Sequence, residues 1–113
     1  MKKLLVLIVL FVSVIASSQQ YTVLHINSSW NTRNDYKDLN KIQGARIVKA
    51  FLEDQENSIR RQIKSVPVIL IYKDNSVIGR WDADLTLSIQ TPVSEIQEVI
   101  NNSKKIYRRQ TTD

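Results

Sequence analysis

The chain has 113 residues, a formal net charge of +5 and no cysteine. One domain is the expectation at this length. Thiol–disulfide exchange, cysteine–zinc centres and disulfide staples are excluded, because each needs sulfur. Only two glycines are present, Gly44 and Gly79, so no glycine-rich phosphate loop can be built.

The chain opens with Met1, Lys2 and Lys3, a short positive stretch. An unbroken apolar run over residues 4–12 follows, and Ser13 is the only polar residue before Ala16. Ala16-Ser17-Ser18 then supplies small residues at the spacing of a cleavage site. This is the three-part pattern of a secretory signal peptide, with cleavage expected between Ser18 and Gln19. Residues 4–16 fall short of the roughly 20 a spanning helix needs. Residues 1–18 are thus expected to be a signal peptide and residues 19–113 an exported domain, periplasmic or secreted, with no stable membrane insertion after cleavage.

The exported part begins with Tyr21-Thr22-Val23-Leu24-His25-Ile26, a buried-strand composition with no turn former. Residues 31–40 are polar, so a helix there is short and lightly packed, with Asp35 as its expected cap. Gly44 breaks the chain, and residues 45–52 read as a second strand. Residues 56–64 read as a short helix with Ile59 and Ile63 on one face. Residues 66–72 are nearly continuous apolar, as in a strand covered on both faces. Lys73-Asp74-Asn75-Ser76 is turn chemistry, and residues 77–81 pair back to close a hairpin.

Residues 82–90 read as a loop. Thr91 and Pro92 mark a helix start, and Val93, Ile96, Val99 and Ile100 give that helix its apolar stripe. Residues 103–113 read as a basic C-terminal tail carrying Lys104, Lys105, Arg108 and Arg109. The expected order is β-α-β-α-β-β-α, an α/β domain. Helical crossovers between the first three strands favour parallel pairing, with the hairpin adding an antiparallel edge.

That order, with a lone proline at the head of the third strand, resembles the thioredoxin family. Ser65-Val66-Pro67-Val68-Ile69-Leu70-Ile71-Tyr72-Lys73-Asp74-Asn75 is similar to the family's proline-led strand and its turn. Val23-Leu24-His25-Ile26-Asn27-Ser28-Ser29-Trp30 is similar to its strand ending in a tryptophan before Cys-x-x-Cys. The resemblance covers roughly residues 21–102 and implies a thioredoxin-like three-layer domain lacking the first β-α unit. It also implies a cis Val66–Pro67 bond. After Trp30 stand Asn31, Thr32, Arg33 and Asn34, so both cysteines of the motif are replaced by asparagine. His25 falls where the family places a buried acidic residue.

The expectation that follows is a redox-inactive, non-enzymatic module that binds a protein or peptide. Its candidate surface is Trp30, Asn31, Thr32, Arg33, Asn34, Val66 and Pro67, with strand addition at the Val66 backbone as one mode. No catalytic residue, cofactor or metal is assigned. A non-redox enzyme using His25 with Ser28 or Asp35 is the rival, opposed by strand alternation and by the absence of a Gly-x-Ser-x-Gly turn. A structural envelope component whose basic tail touches anionic lipid is a third reading. Asp82 and Asp84 are more simply solvated loop charges than a calcium site. Arg60, Arg61 and Lys64 are too small a cluster for a nucleic-acid surface.

Overall fold

The structure, a computed structural model, describes residues 20–112. The expected signal segment, residues 1–18, lies outside the described residues. Four strands form one sheet: β1 (Tyr21–Asn27), β2 (Arg46–Phe51), β3 (Val68–Lys73) and β4 (Ser76–Asp82). Two α-helices complete the described chain, α1 (Asn57–Arg60) and α2 (Val93–Thr112). The strand order across the sheet is β2-β1-β3-β4. The Val66–Pro67 peptide bond is cis.

β1 and β2 pair in parallel, from Thr22 opposite Arg46 to Asn27 opposite Phe51. β1 and β3 pair antiparallel, with Tyr21 opposite Lys73 and Ile26 opposite Val68. This corrects the expectation of parallel first and third strands. The connection over residues 52–67 spends Ile63 and Val66 on covering Ile26 and Val68. The chain thus leaves β2 beside the Asn27 end of β1 and enters β3 at that same end, so β3 runs back against β1.

Two apolar clusters fill the two faces, which makes three layers. On one face Tyr21, Val23, Ile69 and Ile71 meet Ile96 and Ile100 of α2, joined by Tyr36, Leu39, Ile42 and Ile89. On the other, Ile26 and Val68 meet Ile63 and Val66, with Leu24, Ala50, Leu52, Ile59 and Leu70 packed around them. The alternation of β1 sets the division: odd residues face α2 and even ones face α1.

Other expectations need correction. Residues 31–40 are not one helix. Ser29–Asn34 and Leu39–Lys41 are separate 3-10 segments, and Asp35 follows the first rather than capping a start. The expected helix over residues 56–64 shrinks to Asn57–Arg60, because Ile63 and Val66 turn inward to fill the second cluster. The basic C-terminal stretch is the end of α2, which runs on to Thr112. Nothing between Val93 and Thr112 breaks a helix, since that stretch holds no glycine or proline.

Candidate functional site

β1 delivers its last residues, His25 and Asn27, to the end of the sheet where three loops converge. Asn27 is 1% exposed and directs the local geometry. Its amide donates to the Asn31 carbonyl at 2.9 Å and to Asp35 Oδ1 at 2.6 Å. Its own oxygen accepts from the Ser28 N–H at 2.8 Å and from Asn31 Nδ2 at 3.1 Å. Both donors and the acceptor of a buried amide are therefore satisfied, as burial requires.

Asn31 stands at the first replaced cysteine position and is 4% exposed. Its Nδ2 lies 3.0 Å from the Leu87 carbonyl oxygen and 3.3 Å from that of Val66. Its oxygen accepts from Asn34 Nδ2 at 2.8 Å, which joins the two substituted positions directly. Leu87 has a φ of 61°, uncommon for a branched residue. The turn over residues 84–88 is closed by Leu87 N–H to Asp84 O at 3.0 Å and Asp84 N–H to Ser88 O at 3.1 Å.

Asp35 accepts from Asn27 and, at 3.1 Å, from the Lys49 ammonium. Partial burial pushes its carboxyl upward, but these two hydrogen bonds outweigh it and hold the group below the usual carboxylate range. His25 is 1% exposed, and its Nε2 accepts the Tyr36 N–H at 3.1 Å. Burial is the main reason its imidazole is held below the ordinary value, against a smaller opposing pull from Asp35. Ser28 is buried. Ser29 Oγ and N–H both donate to Glu53 Oε2. The Ser29 hydroxyl is thus engaged with Glu53, and the acceptor nitrogen of His25 is committed to the Tyr36 N–H.

The residues named from the sequence therefore separate into two sets. Trp30 is 69% exposed, and Thr32 and Arg33 are also exposed. Asn34 is half-buried. Asn31, Val66 and Pro67 are buried beneath them. Sequence reading missed Asn27, Glu53, Lys49 and Leu87. The available signal was Asn27 itself, an amide closing an apolar strand four residues before another amide.

Beside this cluster an open cleft of about 380 Å³ lies between residues 33–38 and residues 88–92. Tyr36 closes its floor by donating its hydroxyl to the Thr91 carbonyl at 2.6 Å. Asp82 is bound by Arg80 Nε at 2.7 Å, and Asp84 accepts the Thr86 N–H at 2.8 Å. Among the described residues no group of His, Asp and Glu is placed to hold a metal ion. Trp81 is half-buried and packs on the α2 side of the sheet.

A mixed four-stranded sheet with helices on both faces and the Trp30 loop beside Pro67 defines a thioredoxin-like fold. Among solved structures the chain is similar to thioredoxin-2, described as a component of the malaria parasite protein secretion machinery. The two share 19% identity over 75% of this chain and 84% of that one, with a TM-score of 0.57. Likeness at that identity speaks for the fold alone. Neither a scan of family models nor a search of curated proteins found a match.

Proposed function

We propose that this chain is a redox-inactive thioredoxin-like binding module, exported to the periplasm or secreted after loss of residues 1–18. It holds a protein or peptide against the loop of Trp30, Thr32 and Arg33. The fold and the complete absence of cysteine are compatible with a module that has given up sulfur chemistry. The observation that carries the binding reading is Trp30. A tryptophan left 69% exposed lies between two pinned neighbours, Ser29 on Glu53 and Asn31 on Asn27. A large aromatic on a fixed backbone loses little entropy on contact and suits an interface anchor.

Strand addition at Val66 is the less supported mode, because the Asn31 amide already faces that carbonyl. The enzyme reading with His25 loses support for the same kind of reason: its Nε2 is buried and engaged.

The test is photo-crosslinking in an envelope extract, with a crosslinker placed at Thr32. The same captured protein is expected with the wild-type loop and with Val77→Ser, at the far end of the sheet. It is expected to be lost with Trp30→Ala. Equal capture with Trp30→Ala would remove this surface from the proposal. An insulin-reduction assay reads zero, since no thiolate is available to attack a disulfide.

A further inference from the structure

The sheet-facing stripe of α2 outruns the sheet it covers. Val93, Ile96, Val99 and Ile100 pack into the core. Further along, the helix meets Tyr21, whose hydroxyl donates to Ser103 Oγ at 2.9 Å. Its ring lies 5.6 Å from Lys104 Nζ. Tyr21 begins β1 and pairs with Lys73, the last residue of β3, so the sheet ends there. α2 nevertheless continues to Thr112, roughly 12 Å further at a rise of about 1.5 Å per residue.

The overhang reads Lys104-Lys105-Ile106-Tyr107-Arg108-Arg109, and no carboxylate occurs between Glu98 and Asp113. Helical spacing puts positions 105, 108 and 109 on one face. Ile106 follows Val99 by two turns and so extends the apolar stripe, yet it is 54% exposed. Lys105 and Arg108 are exposed too. The acidic residues of the helix, Glu95 and Glu98, lie in its first turns, so positive potential is concentrated at the far end.

We propose that this overhang binds the surface of an anionic lipid bilayer. An exposed aliphatic residue among cations on a helix is the combination that settles at a headgroup boundary. Basic residues near such a surface are each drawn to it by the negative lipid potential. Nucleic acid fits less well, because it calls for a broader basic face interleaved with stacking aromatics. The overhang lies at the Tyr21 end of β1, whereas Trp30 follows the Asn27 end, about 23 Å away along the strand. A bilayer held by one end leaves the Trp30 loop facing outward, so the two surfaces do not compete. The assignment does not depend on what the Trp30 loop binds.

The test is co-sedimentation of the full chain with vesicles of phosphatidylcholine alone or with about one third phosphatidylglycerol. Binding is expected on the anionic vesicles and is expected to fall as salt shortens the screening length. The triple variant Lys105→Gln/Arg108→Gln/Arg109→Gln keeps good helix formers and leaves Lys104 on Tyr21. It should bind roughly a hundredfold more weakly, at about fivefold per charge. The charge-preserving Lys105→Arg/Arg109→Lys variant should bind as wild type. Ile106→Gln should lose about tenfold, with unchanged salt dependence.

Equal binding to both vesicle types would overturn the proposal. So would an anionic preference retained by the triple variant, which would place it in Lys2, Lys3 or elsewhere. Single-stranded nucleic acid retained more tightly than anionic vesicles at the same salt would overturn it as well. A dimer in light scattering that Ile106→Gln dissolves would instead make the stripe a contact between two copies.

Discussion

The side-chain amide of Asn31 faces the backbone carbonyl of Val66 at 3.3 Å, so the loop after β1 is joined to the residue that precedes Pro67. The same nitrogen serves Leu87 and Asn27, and one amide therefore links three loops. Asn31→Ala would leave those acceptors short of a buried donor. The expected cost is about 1–3 kcal/mol in urea unfolding, together with faster amide exchange across residues 84–88. An unchanged midpoint would mean that water replaces the amide fully.

Asp35 separates a hydrogen bond from an ion pair. Its pair with Lys49 is well solvated on the lysine side, and such pairs contribute about 0–1 kcal/mol. Its bond to Asn27 satisfies a buried donor. Asp35→Ala should therefore destabilise by about 1–3 kcal/mol. Asp35→Asn keeps an oxygen for Asn27 and should cost less. Lys49→Ala should cost under about 1 kcal/mol.

His25 predicts a pH dependence of definite sign. Its folded value lies below the ordinary 6.5, so the unfolded chain takes up the proton first. The stability it contributes is full above pH 6.5 and falls as pH drops from there through its lower folded value. Protonation also removes the acceptor used by the Tyr36 N–H. Asp35 adds a second decline at lower pH, because its folded value is also depressed: its stabilisation holds above the ordinary 3.8 and is lost as pH falls through the folded value. An NMR titration of the His25 ring should give a midpoint below 6.5. His25→Gln should flatten the upper part of the stability curve, and a midpoint above 6.5 would refute the assignment.

Gly44 has a φ of +79°, and a Cβ there would press on the Lys104 ammonium. The lysine end can move aside, but the backbone angle still disfavours a side chain. Gly44→Ala should destabilise by about 1 kcal/mol. Calorimetry that finds stabilisation instead would mean the loop relaxes to negative φ.

Trp30→Ala tests whether the exposed ring is structural. Removal should change thermal stability by no more than about 0.5 kcal/mol, as for surface positions without buried partners. A larger loss would make the ring part of the fold rather than a contact surface.

Much of the scaffold was legible in local sequence. The apolar runs at residues 21–26 and 66–72, the turn at Lys73-Asp74-Asn75-Ser76 and the stripe of Val93, Ile96 and Ile100 each carry their own periodicity. A missing cysteine needs no structure to be decisive. The reach of α2 to Thr112 was also written in the lack of a breaker, although the basic stretch read as a tail.

The direction of β3 was not legible. It depends on where the connection over residues 52–67 packs: Ile63 and Val66 bury against Ile26 and Val68, which returns the chain to the Asn27 end of β1. Nor could the sequence divide the Trp30 loop into exposed Trp30, Thr32 and Arg33 and buried Asn31. Amides are polar wherever they stand, and only folding brings the Val66 and Leu87 carbonyls, 35 and 56 residues away, to the one nitrogen that bonds them.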